Sequence, residues 1–228
     1  SIGRPIMFQT VAKVPRNAAL LVALLAMIVV APLVPAERSW FIVELSFDLI
    51  LLAGVYSVGP SHHRWTFLLL TAVTLAVRWG ELLSVAGGLD VTALGLTVVW
   101  IFYAVSILVA HLFQRRDVTL DTILGAIVTY LLAAVAFSML FQIIEITSPG
   151  AFTGLPDKGR GDRHEMGNWL LYFSFVCITT MGYGDIVPAS DLARPPAVLE
   201  GVFGQLYLAV MIARLVGLHA ASGRGEET

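Results

Sequence analysis

Apolar residues run along this chain in blocks, and six blocks are long enough to form membrane-spanning helices: residues 18–35, 41–58, 65–86, 92–113, 119–146 and 196–219. A helix rises ~1.5 Å per residue, so ~20 residues cross a ~30 Å hydrocarbon core. Between the fifth and sixth blocks the pattern changes twice. Residues 147–167 (TSPGAFTGLPDKGRGDRHEMG) are rich in Gly, Pro and charge and predict an exposed loop. Residues 168–180 (NWLLYFSFVCITT) are apolar but make only about 20 Å of helix, too short to cross. A short apolar helix between two full spans predicts a re-entrant element, which lipid tolerates only where it is buried in protein or lines water. The expected fold is an all-α membrane protein with six transmembrane helices plus this re-entrant helix.

Composition supports a lipid setting. The 228 residues are 57% hydrophobic and 13% charged, with mean hydropathy +0.83; soluble domains carry about 25% charge. The net charge of -2 and the lack of a dense basic cluster give no reason to expect nucleic acid. Cys177 is the single cysteine, which excludes an intrachain disulfide and a cysteine-cluster metal site. Arg4, Lys13, Arg16, Arg64, Arg115, Arg116, Arg214 and Arg224 fall on one side of a six-span topology, and of the short opposite loops only one carries a basic residue, Arg38. This bias places both termini in the cytoplasm of a multi-pass cell-membrane protein. The 147–167 loop carries Lys158, Arg160 and Arg163 on the other side, offset by Asp157, Asp162 and Glu165. Trp40, Trp65 and Trp169 lie near predicted span ends, as interfacial anchors or as packed aromatics.

Directly after the short helix comes TTMGYGD, Thr179 to Asp185. A cation entering lipid needs oxygens in place of its hydration water. Backbone carbonyls serve if successive residues turn them the same way, which needs alternating backbone handedness and glycine at alternate positions. Gly182 and Gly184 alternate as required, Thr180 adds a hydroxyl, and Asp185 places negative charge at the mouth.

Here the chain resembles the bacterial-type potassium channel family, whose filter reads T-x-G-Y-G. The match is Thr180, Met181, Gly182, Tyr183 and Gly184; the family's familiar filter has the TVGYG form. The resemblance implies stacked potassium sites made by the carbonyls of Thr180, Met181, Gly182 and Tyr183 with the Thr180 hydroxyl. Met181 departs from the usual Val or Ile; its side chain is implied to point away from the ion, toward the pore helix, so the carbonyl ligand is kept. Tyr172 and Phe173 sit where the family often has an aromatic pair, and Tyr172 either braces Asp185 or simply packs. The last span contains Gly201 and Gly204; Gly204, twenty residues after Gly184, matches a hinge glycine or serves close helix packing. Asn168 is expected to cap the pore helix. Glu200 either bonds the back of the pore helix or an adjacent subunit, or is a solvated helix-end charge. Gln205 faces the cavity or bonds another helix.

The expected organisation is a cytoplasmic N-terminus (1–17), a four-helix peripheral module (18–113), a linker (114–118) and a pore module (119–221) with pore helix 168–179 and filter 180–184. The fourth span holds no Lys or Arg, whereas voltage sensors repeat arginine there. Weak or no intrinsic voltage sensing follows. Asp48 lies four residues after Glu44 on one helix face, at a depth similar to that of Arg78, which predicts an intramembrane ion pair of Arg78 with Asp48 or Glu44. His62, His63, His111 and His219 have no metal-site spacing. One filter segment per chain implies a homotetramer in the bilayer with potassium ions, and no other cofactor, in the filter. The few residues after the last span leave no expected cytoplasmic ligand-binding domain.

The expected function is passive, potassium-selective conduction. The alternatives are a less selective cation channel of the same fold, a polytopic intramembrane enzyme, and a channel-like subunit that only assembles with, or regulates, others. The enzyme would need a serine in a Gly-rich setting with a membrane-embedded histidine, and neither Ser138 nor Ser174 has one.

Overall fold

A computed structural model describes residues 16–30, 33, 45–55, 64–83, 90–114, 119–156 and 163–223. The helices in chain order are α1 (Arg16–Val30), α2 (Leu45–Val55), α3 (Arg64–Leu83), α4 (Asp90–Gln114), α5 (Leu120–Thr147), α6 (Arg163–Ile178) and α7 (Arg194–Gly223). Two short strands, β1 (Phe152–Thr153) and β2 (Val187–Pro188), pair antiparallel with Phe152 opposite Pro188. Among the described residues, three helical stretches are long and apolar enough to cross a membrane: Val91–Gln114, Leu120–Thr147 and Arg194–Leu218. The apolar stretches of α1, α2 and α3 are shorter over the described residues.

Helix ends follow local chemistry. Thr119 caps α5: its hydroxyl accepts from Thr122 N–H at 3.3 Å, satisfying a donor that has no intrahelical partner. Ser190 does the same before α7, accepting from Ala193 N–H at 3.1 Å. Pro195 and Pro196 then occupy the first turn of α7, where missing N–H groups cost nothing.

The α5 helix is the axis of packing. One face packs on α1 and α4, in an apolar cluster of Leu20, Leu24, Met27, Trp100 and Ile101 with Leu132, Val135 and Met139 on α5, which also takes in Ile50 of α2 and Phe67 of α3. Trp100 Nε1 donates to Thr71 Oγ1 at 2.7 Å, so the buried indole keeps a hydrogen-bond partner. Gly54 makes room for it, since a Cβ there would lie 2.5 Å from the indole ring. Arg78 Nε lies 3.8 Å from Asp48 Oδ1, and its guanidinium sits 5.1 Å from the Phe47 ring centroid. Glu44, the other acid considered for this pair, lies outside the described residues. Arg115 and Arg116 do too.

The other end of α5 packs on α6 and the segments around it. Phe141, Phe152 and Phe173 meet pairwise edge-to-face at 5.2–5.4 Å between ring centres, an arrangement worth about 0.5–1.5 kcal/mol per pair beyond burial. Two expectations are corrected here. The loop at 147–167 is not wholly exposed: Ala151, Phe152 and Leu155 are buried in that cluster. Glu145 holds the turn there, its carboxylate accepting from Gly150 N–H at 2.9 Å and Phe152 N–H at 3.0 Å. The re-entrant helix also begins at Arg163, not at 168, so Asn168 lies inside it and is not its cap. Glu165 in the first turn complements the positive end of the helix dipole, and Met166 is buried, which extends the helix through a stretch whose charge and glycine suggest a loop.

Candidate functional site

The α6 helix ends at Ile178, and the chain then turns through Thr179 and Thr180 into an extended run. Positive φ occurs at Thr180 (58°), Gly182 (59°) and Gly184 (76°), every second residue. A strand whose handedness alternates in this way turns its successive carbonyls to one side. The amides are turned to the helix that precedes them. Thr180 N–H donates to Cys177 O at 2.9 Å, and Met181 N–H donates to Val176 O at 3.0 Å. Gly182 N–H shares the Val176 carbonyl at 3.4 Å. Glycine tolerates this backbone at no steric cost, whereas a β-branched residue in the left-handed region is strained, so Thr180 must be held by its surroundings.

Several elements hold it. Tyr130 on α5 donates its hydroxyl to Ile178 O at 2.8 Å, fixing the end of α6. Gln205 Nε2 on α7 donates to Thr180 Oγ1 at 3.1 Å. A Cβ on Gly204 would lie 2.2 Å from the Ile178 carbonyl oxygen, so glycine is what lets α7 pass against the end of α6. Of the two roles open to Gly204, close packing therefore has a direct geometric cause.

Glu200 is not a solvated helix-end charge. It is fully buried on α7, with Oε1 in hydrogen-bond contact with Ser174 Oγ on α6. Ser174 Oγ also lies 2.6 Å from Ala134 O on α5, so one hydroxyl, whose single proton serves one of these two oxygens, joins α5, α6 and α7 behind the run. In the sequence Ser174 stands out only as an unsuitable nucleophile; no local pattern marks a serine as a three-helix junction.

The far end of the run is closed by Asp185. Tyr172 donates its hydroxyl to Asp185 Oδ2 at 2.6 Å, and Ile186 N–H donates to Oδ1 at 3.0 Å. Phe173, the neighbour of Tyr172, faces the other way into the Phe141–Phe152 cluster. Gly154 is a residue that sequence reasoning missed. Its φ is +86° and a Cβ there would lie 1.8 Å from Asp185 O, so the β1 segment can lie on the mouth only with glycine at that position. The TSPGAFTGLP pattern marks it as a turn residue but not as a neighbour of Asp185.

The Tyr172 hydrogen bond is the chief cause holding the Asp185 carboxyl below the ordinary carboxylate range; the Ile186 amide adds to it, while partial desolvation opposes it. A lowered folded-state value means the ionised brace is intact above the ordinary carboxylate pKa and is lost as pH falls through the lowered value. Tyr172→Phe is expected to move acid-induced loss of function toward higher pH, read by titrating reconstituted protein with acid on each side of a bilayer in turn. An unmoved midpoint would mean that the brace does not set the acid limit.

Met181 and Tyr183 are 59% and 66% exposed. Neither side chain is covered within the single chain.

Residues 126–218, which hold most of α5, all of α6, the alternating run and most of α7, match a family described as ion channels. Protein LctB of Bacillus caldotenax is 29% identical over 98 residues, covering 43% of this chain and 72% of that protein. Protein LctB of Geobacillus stearothermophilus is 27% identical over 111 residues, covering 49% of this chain and 82% of that protein. No solved structure matches the chain. With its long apolar helices the protein is a membrane protein, and its residues 126–218 are similar to the ion channel family.

Proposed function

We propose that four copies of this chain form a potassium-selective channel that conducts passively, with residues 180–184 of each copy lining a common axis. One observation carries the reading: left-handed backbone at Thr180, Gly182 and Gly184, with the amides of Thr180, Met181 and Gly182 tied back to Cys177 and Val176. Carbonyls freed in this way can replace the water a potassium ion sheds, and ions in adjacent sites then move by mutual repulsion. The C-terminal end of α6, with its partial negative charge, favours a cation below the run.

A tetramer fits what a single chain leaves uncovered. Met181 and Tyr183 are exposed, as are Val198, Leu199, Val202 and Leu206 along α7. Neighbouring copies and lipid would cover these apolar surfaces, and a single filter segment per chain favours fourfold closure. In this reading α1 to α4 form a peripheral module, six helices cross with both termini cytoplasmic, and Arg78 with Asp48 braces the bundle. The α4 helix contains no Lys or Arg, which argues for weak voltage dependence. Gly204 is proposed as a packing glycine that also permits bending of α7.

Purified protein in planar bilayers tests the reading. The reversal potential should follow the potassium gradient at about 59 mV per tenfold change and ignore a sodium gradient. Equal permeability to the two ions would reduce the protein to a less selective cation channel, and absence of current across all voltages and pH values would oppose conduction by the homomer.

A further inference from the structure

Gln205 is an amide on a helix whose neighbouring positions are largely apolar (VFGQLYLAV), and its position follows from Gly204. Because Gly204 lets α7 run against the carbonyl end of α6, the next residue is carried to the foot of the alternating run. There Gln205 Nε2 lies 3.1 Å from Thr180 Oγ1. Both side chains are exposed in the single chain, so this contact faces open space and not the protein interior. Thr180 is the one non-glycine among the described residues with positive φ, and it is β-branched. Its backbone is tied by its own amide to Cys177 O, and its side chain by Gln205.

We propose that Gln205 is a positioning residue for conduction: its side-chain amide orients the Thr180 hydroxyl and so sets how readily a partly dehydrated monovalent cation enters the innermost site of the filter. The inference rests on the potassium-channel reading above. A threonine hydroxyl has one proton and two lone pairs. Accepting from Gln205 occupies one lone pair and fixes the rotor, leaving the other lone pair in a set direction for an ion. The same bond tethers a side chain whose backbone is strained. Without the donor, the hydroxyl is free to rotate and each of four copies presents a disordered ligand to the ion.

Single-channel recording of full-length Gln205→Leu in planar bilayers tests this. The half-saturating potassium concentration on the inner side of the filter is expected to rise about fivefold, the effect of one lost net hydrogen bond. A rise of that size that disappears in a Thr180→Ala background, where the acceptor is gone, and persists in Thr180→Ser, where it is kept, supports positioning through the hydroxyl. An unchanged half-saturation, or an equal rise with and without the hydroxyl, overturns it. If Thr180→Ala does not assemble, the serine background decides: a comparable or larger rise there supports the proposal, and its disappearance there, where the hydroxyl is kept, counts against it. Potassium-over-sodium selectivity of the unsubstituted protein, measured in the same recordings, separates the two claims. If that selectivity is absent, the channel reading itself fails; if it is present while Gln205→Leu changes nothing, only the role of Gln205 fails.

Discussion

Gly182→Ala is expected to abolish discrimination between potassium and sodium while leaving the chain folded. Gly182 has φ +59°, where an L side chain costs roughly 1–2 kcal/mol. Thr180 already bears a side chain in that region, but it is held by its amide bond to Cys177 and by Gln205. Gly182 is held only by a 3.4 Å bond that it shares with Met181 at Val176 O. In the proposed assembly of four copies the added strain would sum to about 4–8 kcal/mol. A thousandfold preference between two ions corresponds to about 4 kcal/mol, so strain of this size is enough to pull the carbonyls out of line and cancel it. Among the described residues, no atom beyond Gly182 and its two chain neighbours lies within 4 Å of the position a Cβ would take, which is why folding should survive. Bi-ionic reversal potentials read the result directly, and full potassium preference in the alanine variant would mean that alternating backbone handedness is not what selects the ion.

Gly204→Ala acts on stability first. Its Cβ would meet the Ile178 carbonyl oxygen at 2.2 Å, the carbonyl carbon at 3.0 Å and Ile178 Cγ1 at 2.9 Å. Two of these are backbone atoms at the end of α6, and the Tyr130 hydroxyl already occupies one side of the same oxygen at 2.8 Å. The clash cannot be relieved by a rotamer change; α7 must withdraw by about 1 Å to regain an ordinary non-bonded contact. Overpacking of this kind costs about 2–3 kcal/mol, which in a chain of this size lowers Tm by roughly 4–12 °C. The withdrawal also carries Gln205 away from Thr180. If Gly204 mattered only as a point of bending, alanine would leave Tm unchanged and alter open probability alone. Thermal denaturation of the detergent-solubilised protein beside single-channel gating therefore tells the two roles apart.

Both predictions concern glycines, yet the two became visible in different ways. The left-handed backbone at Gly182 could be expected from sequence because its requirement is local: alternating glycines after a short apolar helix permit an alternating backbone handedness that other residues resist. The spans of α4, α5 and α7 were legible for the same kind of reason. Uninterrupted apolar runs of that length have few alternatives in lipid, and every backbone group is satisfied within the helix. The pairing of Tyr172 with Asp185, one of two options open in the sequence, spans thirteen residues within one compact loop.

What the sequence could not decide depended on contacts between distant segments. The start of α6 at Arg163 follows from the burial of Met166, which overrides the charge and glycine that mark a loop. Gly154 touches Asp185 O, Ser174 joins Ala134 to Glu200, and Gln205 reaches Thr180. Each of these depends on two chain segments 25 or more residues apart arriving within a few ångströms, and no periodicity along the chain encodes such a distance. The amino-acid order thus determined the apolar helices and the alternating backbone of residues 180–184, because these are set by neighbours in sequence. Tertiary packing alone decided which side chains brace that backbone, because bracing depends on how closely α5, α6 and α7 approach one another.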